Sequence, residues 1–169
     1  MKETTEELDG LQRLLDASIA ASGAYLIAIV SPGRRLSARQ LVADLTGTKV
    51  LVVATVTASA QPRTSAVDGH FLHGNWIFHT SAKAHKARHL RARPAISATH
   101  ADGERMAVFV HGHAECLTPQ DARFSEYDEY YVGHYGFSPP DWGPTPVFVR
   151  IHPIWMIGYA MNAAHFPDG

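Results

Sequence analysis

The feature that most constrains the fold is a series of short β-patterned segments, separated by turn residues, between residues 50 and 160. Val50–Thr57 is apolar and β-branched, and turn residues such as Asp68-Gly69 and Asp102-Gly103 separate later segments of similar character. Segments this short and closely spaced pair with their neighbours in the chain, so the pattern predicts an antiparallel meander. The other predicted strands are Arg63–Val67, Phe71-Leu72, Trp76–His79, Ala95–Thr99, Met106–Cys116, Val147–His152 and Trp155–Ala160.

Two helices are predicted before this β region. The sequences Thr4–Glu7 and Ser37–Gln40 both have the pattern of a capping box, in which the first and fourth residues satisfy each other's backbone N–H groups. The second of these helices is predicted to end at Gly47. We therefore expect residues 1–47 to form a helical extension packed on a barrel formed by residues 48–169, within one structural domain.

Two more helices are predicted inside the β region. Ser81 is the predicted N-cap of a helix that extends to about Ala92 and ends before Pro94. Thr118 is the predicted cap of a second helix, which extends through Tyr131 and ends at Gly133, and a surface loop is predicted from Gly133 to Pro146. Six or so strands with a few helices predict an α+β barrel.

Composition and charge exclude several functional classes. The 15 Lys and Arg residues nearly balance 16 Asp and Glu residues, so we do not expect a nucleic-acid partner, whose phosphates require clustered cations over a wide surface. The single Cys116 cannot form an internal disulfide, and the acidic N-terminus does not resemble a signal peptide. The apolar runs are too short to cross a bilayer. We expect a cytoplasmic protein without a membrane partner.

Positive charge is concentrated in one segment of this otherwise neutral chain. It contains no acidic residue and has seven basic or titratable positions: Lys83, His85, Lys86, Arg88, His89, Arg91 and Arg93. If a helix begins at Ser81, the backbone N–H groups near Ala82 and Lys83 add to the positive field. The segment then suits a phosphate or carboxylate. A solvated helix face with cations spread for solubility is the alternative interpretation.

The same segment resembles the phosphate-binding strand and helix of the pyridoxamine 5'-phosphate oxidase-like, FMN-binding split barrels. The resemblance lies in Phe78-His79-Thr80-Ser81, followed by His85-Lys86-Ala87-Arg88-His89-Leu90 and Arg93-Pro94, and extends more loosely from Thr46 to Ala160. It implies a Greek-key type split barrel of antiparallel strands with peripheral helices. It also implies that the cofactor phosphate contacts Thr80, Ser81 and Lys86, with His85 at a position where the family usually has arginine. Arg63 and Ser65, in the preceding hairpin, are further candidate contacts.

One departure from the family's biosynthetic oxidases indicates a different cofactor. Those enzymes have arginine three residues after the proline of the first hairpin, whereas this chain has Ser65 three residues after Pro62. The serine pattern is similar to that of oxidoreductases that use the deazaflavin coenzyme F-420. The carboxylate tail of F-420 also suits a helix with more cations than one phosphate requires, with Lys83 and Arg88 as the nearest candidates beyond Lys86. The resemblance therefore implies F-420, with FMN as the alternative.

The implied activity is hydride transfer to a small, planar, unsaturated organic substrate, by a homodimer that holds its cofactor between subunits. Hydride transfer needs position and a shielded pocket more than a protein nucleophile, so no catalytic residue is named. The alternatives are an FMN-dependent oxidase of the same family and a non-catalytic flavin- or haem-binding protein. An aromatic, acidic stretch from Phe124 to Tyr131, followed by His134, Tyr135, Phe137 and Trp142, either covers a substrate or packs on the barrel.

A metal site is not expected. His111 and His113 share the polar face of a predicted strand, and such a pair can bind zinc. Zinc requires three or four ligands, and no cysteine or carboxylate has a suitable spacing from this pair.

Overall fold

Six antiparallel strands close into a barrel in the computed structural model, which describes residues 3–138 and 145–167. Their order around the barrel is β1-β2-β3-β6-β5-β4. Because β4 returns to lie beside β1 after the β1-β2-β3 meander, the first four strands form a Greek key. The predicted α+β split barrel is confirmed. The strands are β1 Lys49–Val56, β2 Pro62–Leu72, β3 Asn75–Ser81, β4 Ala95–Asp102, β5 Met106–Leu117 and β6 Pro146–Ala160.

Five α-helices surround the barrel in the described residues. They are α1 Thr5–Ala20, α2 Ala24–Ile29, α3 Ala38–Asp44, α4 His85–Ala92 and α5 Phe124–Tyr135. Both predicted capping boxes are confirmed, at the starts of α1 and α3, whereas α2 was not predicted. Short 3₁₀ turns occur at Pro32–Arg34 and Ala163–His165. No helix in these parts of the chain is long and apolar enough to span a bilayer.

Strand β2 is longer than predicted because Asp68-Gly69 is not a turn. Gly69 lies inside the strand, where a Cβ atom would be 2.7 Å from the Leu51 Cβ atom, so the glycine permits close packing of β2 on β1. The turn that follows β2 is instead formed by His73 and Gly74, which both have positive φ angles of 52° and 70°. Two such residues in sequence are typical of the tight hairpin turns that match the twist of a β-sheet.

The two predicted final strands are one continuous strand, β6. The predicted break coincides with a β-bulge: His111 pairs with Trp155 while Gly112 pairs with Pro153, so Ile154 is the extra residue. A Cβ atom on residue 112 would be 2.1 Å from the His152 carbonyl oxygen, which explains the glycine. The bulge allows proline inside a long strand because it interrupts the regular ladder of hydrogen bonds.

The predicted starts of the two later helices are wrong. Ser81 is the last residue of β3 and pairs with Pro146, so α4 begins four residues later, after Ala84 as N-cap. Thr118 closes a turn, because its N–H and hydroxyl groups both donate to the Asp121 carboxylate at 2.7 and 2.8 Å. Helix α5 therefore begins only at Phe124.

The end of α5 also differs from the prediction. The helix passes Tyr131 and Gly133 and ends at Tyr135, where Gly136 adopts a left-handed conformation with φ 80°. The predicted surface loop from Gly133 to Pro146 is correspondingly shorter, since Pro146 begins β6. Residues 139–144 of that loop lie outside the described residues.

The barrel interior forms one apolar core that the helices complete. Leu51, Trp76 and Phe78 are fully buried there, and α3 and α4 contribute Leu41 and Leu90. Helix α5 packs against the outside of the barrel in a second cluster. That cluster contains Leu72, Ile77, Leu117, Phe124, Tyr127, Tyr131 and Phe148.

A buried histidine connects β2 to α5. The His70 side chain is 0% exposed, and its two ring nitrogens are hydrogen-bonded to the hydroxyl groups of Tyr130 at 3.1 Å and Tyr135 at 2.8 Å. The Tyr135 hydroxyl is also bonded to the Thr48 hydroxyl at 2.9 Å. Burial, with a smaller contribution from neighbouring His134, lowers the pKa of His70 to about 4. The imidazole is therefore neutral at pH 7.

We expect the free energy of unfolding to fall as the pH is lowered from about 6.5 to 4. Burial also lowers the pKa of His79 to about 4, so both histidines stay neutral in the folded state through this window, whereas in the unfolded chain they take up protons near pH 6.5. The two neutral histidines therefore make their full contribution to the free energy of unfolding above pH 6.5. Urea unfolding of wild type and His70→Asn between pH 8 and 4.5 measures the effect.

The His70→Asn protein should be less stable at pH 8 and should lose less stability on acidification. His165→Asn, in an exposed 3₁₀ turn, is the matched control and should follow the wild type. An unchanged pH slope in His70→Asn would show that His70 is not one of the groups that titrate.

Candidate functional site

An open groove of about 490 Å³ lies where the β1–β2 hairpin meets α4. Hydroxyl groups from the hairpin and basic groups from both elements line it. The lining residues are Thr55, Thr57, Arg63, Thr64, Ser65, His85, Lys86 and His89. Its size is within the range of small-molecule binding sites in proteins.

The pairing of β1 with β2 determines which hairpin residues share a face. Thr55 pairs with Arg63, and partners directly opposite each other project to the same side of a sheet. Ser65 is two residues beyond Arg63 and therefore lies on that face as well. Thr55 follows the buried residues Leu51 and Val53 in alternation, so this is the face that continues the barrel interior.

Helix α4 is fixed over this end of the barrel by packing and by one hydrogen bond. The side chains of Ala87 and Leu90, on the inner face of this helix, are 0% and 1% exposed. The Nδ1 atom of His89 lies 2.9 Å from the Thr55 hydroxyl oxygen. One turn earlier, His85 and Lys86 border the groove. The helix therefore has a defined rotation, with its first turn beside the threonines of the hairpin.

The groove is electropositive because its lining has cations and no carboxylates. Arg63 and Lys86 are the charged lining residues, and Arg88 lies beside them, with its Nη2 atom 2.9 Å from the His85 Nδ1 atom. The pKa of His89 is below its ordinary value, first because of partial burial and then because of nearby Arg93 and other cations. Two basic side chains and no carboxylate in the lining leave the groove suited to an anion.

The structure brings four of the eight predicted site residues into the groove: Arg63, Ser65, His85 and Lys86. Arg88 is adjacent through its contact with His85. The other three, Thr80, Ser81 and Lys83, are not part of the lining. Thr80 is buried in β3, and the Ser81 hydroxyl is bonded to the Thr145 hydroxyl at 3.1 Å.

The predicted contribution of the amides near Ser81 is wrong. The Ala82 N–H donates to the Thr145 carbonyl at 2.8 Å, and the Lys83 N–H donates to the Ser81 hydroxyl at 3.2 Å. These donors are engaged in the turn that joins β3 to α4. The positive end of the helix dipole lies at His85 instead.

Three groove residues, Thr55, Thr57 and Thr64, were missed in the sequence, and His89 was placed in the basic segment but not among the cofactor contacts. A signal for Thr55 was present, because a hairpin that pairs Val50–Thr57 with Arg63–Val67 places Thr55 on the same face as Arg63 and Ser65, and in the structure it pairs with Arg63. His89 is one helical turn from His85, a spacing that predicts a shared face. Thr57 and Thr64 had no distinguishing signal.

The groove is built for binding rather than for covalent catalysis. The Thr55–His89 pair has the spacing of a hydroxyl and a base, but Thr55 is only 2% exposed, and no carboxylate lines the groove to orient His89. The remaining hydroxyl, ammonium and guanidinium groups are hydrogen-bond donors of the type that hold phosphates and carboxylates.

Two other segments considered in the sequence have structural contacts. The His111 ring stacks on Trp155 with centroids 4.9 Å apart, and its Nδ1 atom lies 2.8 Å from the Ser97 hydroxyl. Across residues 3–138 and 145–167 no group of three or more suitable side chains is placed to hold a metal ion. In the aromatic stretch, Phe124, Tyr127 and Tyr131 pack on the barrel. Trp142 lies outside the described residues.

Comparison with known proteins gives a family match. The model of a family described as pyridoxamine 5'-phosphate oxidase matches residues 38–157. No curated protein matches the chain. Solved structures show the same fold at low sequence identity, and three of them illustrate the range of proteins that share it.

The first is a protein of unknown function from Agrobacterium tumefaciens, with 18% identity and a TM-score of 0.56, matched over 70% of this chain and 54% of its own length. The second is an F420 reductase, with 20% identity and a TM-score of 0.53, covering 66% of this chain and 91% of that one. The third is the haem storage protein of Vibrio cholerae, with 17% identity and a TM-score of 0.57, covering 66% and 86%. At sequence identities this low, the structural match shows only that the fold is shared.

Proposed function

The chain belongs to the pyridoxamine 5'-phosphate oxidase family, and from that premise we propose that it is an oxidoreductase that binds coenzyme F-420. FMN is the alternative cofactor. The substrate class we propose is a small, planar, unsaturated organic molecule that accepts a hydride. Pyridoxal chemistry is not proposed, because Ser65 replaces the arginine that the biosynthetic oxidases have at this point of the hairpin.

The observation that supports this proposal is the groove between the β1–β2 hairpin and α4. It combines two permanent cations, Arg63 and Lys86, with hydroxyl donors, and its lining contains no carboxylate. Both proposed cofactors have a phosphate group, which such donors bind by charge-assisted hydrogen bonds. The residues present therefore fit the anionic part of either cofactor.

The cations next to the groove favour F-420 over FMN. Lys83 and Arg88 are exposed on the same segment as Lys86 but do not line the groove. One phosphate does not need them, whereas a tail with several carboxylates that extends from the phosphate has a use for them. The proposed role of Lys83 and Arg88 is therefore to bind the tail.

The groove residues bind and orient the cofactor, and the bound cofactor supplies the hydride chemistry. Arg63 is held in place by Gln61, whose side-chain oxygen accepts from Arg63 Nη2 at 2.9 Å. Lys86 is positioned by the buried face of α4. Fixed donors of this kind reduce the entropy lost on binding.

A homodimer is part of the proposal, and one uncovered sheet face is suited to it. Helix α5 covers the outside of β3 and β6, but across β2, β1, β4 and β5 the register aligns Ala66, Val52, Thr99 and Phe109 in one row on the outer face. Val52 and Phe109 are 40% and 39% exposed, and Val50 on the same face is 63% exposed. An apolar face of this kind is typical of a subunit interface.

A non-catalytic protein that binds a flavin or haem is the remaining alternative. Haem binding requires an axial ligand in an apolar cleft. The groove histidines do not meet this requirement, because the groove is open and is lined by hydroxyl and basic groups rather than by apolar side chains.

Lys86→Ala should weaken cofactor binding by about 1.5–3 kcal/mol, the magnitude of one charge-assisted hydrogen bond, with little change in fold. The matched control is Lys49→Ala, at the end of β1 away from the groove. This variant should bind the cofactor as the wild type does. Fluorescence titration gives both dissociation constants. Equal affinities in the two variants would remove Lys86 from the site.

The binding of F-420 should weaken with ionic strength more steeply than the binding of FMN. Exposed contacts are screened by salt, with a Debye length of about 10 Å at 0.1 M, and F-420 makes more of them. Titrations of both cofactors at several salt concentrations measure the two slopes. In a Lys83→Gln/Arg88→Gln variant, the affinity for F-420 should depend on ionic strength no more steeply than the affinity for FMN does. The variant should keep the wild-type affinity for FMN. Tighter binding of FMN at every salt concentration would contradict the choice of F-420.

Val52→Lys should convert the proposed dimer to a monomer, because it places a charge at the centre of the apolar row. Light scattering at micromolar concentration measures the mass. Ile154→Lys, at an exposed position of the β6 bulge, is the control and should remain dimeric. A stable wild-type monomer would exclude the dimer.

A further inference from the structure

Helix α2 has an unusual surface for a soluble segment. All six of its residues, Ala24–Ile29, are apolar, and none of them is buried. Tyr25 is 82% exposed, Ile27 is 36% exposed and Ile29 is 38% exposed. Isolated exposed apolar residues are common on proteins, but a whole helix of them is a patch that a partner usually covers.

The chain around α2 is basic and has no acidic residue. Between Ala17 and Ala43 there are three arginines, Arg34, Arg35 and Arg39, and no aspartate or glutamate. None of the three forms a salt bridge among residues 3–138 and 145–167. The chain segment that contains the exposed apolar helix therefore has a net positive charge.

One of these arginines is bonded to the end of α2, and a second lies in the 3₁₀ turn that follows it. Arg35 Nε donates to the carbonyl oxygen of Val30, the C-cap of α2, at 2.8 Å. The Arg34 guanidinium lies 5.9 Å from the centre of the Tyr159 ring. Asp16 borders the same cavity as Arg35 and accepts a hydrogen bond from Gln12 at 2.9 Å. Arg34 and Arg35 thus follow the last residue of the apolar helix within six residues.

We propose that α2, together with Arg34, Arg35 and Arg39, binds the surface of a membrane that contains anionic lipids. Apolar side chains enter the boundary between headgroups and acyl chains, while arginines bind the lipid phosphates. Six residues are too few to cross a bilayer, so the helix lies along the surface. The proposal goes beyond the proposed redox function, and it replaces our expectation from sequence that the protein has no membrane partner.

A second copy of the chain is a less suitable partner for this surface. In a two-fold contact each patch meets itself, so the arginines of one subunit approach those of the other. The segment supplies no carboxylate to neutralise them. An anionic lipid surface satisfies both the apolar residues and the arginines.

Vesicle flotation with the full-length protein tests the proposal. We expect binding to vesicles of phosphatidylcholine with 30% phosphatidylglycerol and at least tenfold weaker binding to pure phosphatidylcholine. Tyr25→Ser/Ile27→Ser/Ile29→Ser should reduce the partition coefficient at least tenfold. Arg39→Gln should reduce it about fivefold, as expected for about 1 kcal/mol per basic residue, and added salt should have a similar effect.

The matched control is Val132→Ser/Phe137→Ser/Ile154→Ser, which removes three equally exposed apolar residues elsewhere. It should bind vesicles as the wild type does, and circular dichroism should show that both triple variants are folded. Two results would overturn the proposal: no binding of wild type to the anionic vesicles, or equal losses in both triple variants. A lower molecular mass of the α2 variant in light scattering would also overturn it and would show that a second copy covers α2.

Discussion

The docking of α4 onto the end of the barrel is the interaction on which the proposed site depends. The hydrogen bond between His89 and Thr55 and the burial of Ala87 and Leu90 fix both the position and the rotation of this helix. The β1–β2 register then places Arg63 and Ser65 opposite its first turn. Neither element forms the groove alone, because the hairpin provides all the lining hydroxyl groups and Arg63, and the helix provides Lys86.

This arrangement has an electrostatic consequence. Arg63, Lys86 and Arg88 lie close together, and the groove lining provides no carboxylate to offset their repulsion. The pKa of His89 is lowered first by burial and then by neighbouring Arg93, with further contributions from His85, Arg88 and Arg63. Proteins commonly accept such local destabilisation where a ligand removes it, so an anion should bind here and should stabilise the fold when it does.

Much of the architecture could be predicted from sequence because its signals are local. Runs of apolar and alternating residues predicted most of the strands, and the capping boxes predicted the starts of α1 and α3. The errors occurred where tertiary contacts override a local pattern. Ser81 has the side chain of an N-cap but continues β3 because Pro146 pairs with it, and Asp68-Gly69 has the sequence of a turn but allows close packing on Leu51.

The site was partly predictable for the same reason. Lys86 and His85 were found because the basic segment is contiguous, whereas Thr55 and His89 join the groove only through the pairing of separate elements. Helix α2 could not be predicted from amphipathic spacing, because every residue in it is apolar and none is buried.

The central claim is that the groove binds a flavin-type cofactor through its phosphate. The most direct test is an absorption spectrum of the purified protein after separate incubation with F-420, FMN and haem, followed by removal of unbound ligand. We expect the protein to retain F-420 in a one-to-one ratio with the chain, and we expect an excess of inorganic phosphate to displace it. Retention of haem alone, or of none of the three, would contradict the account.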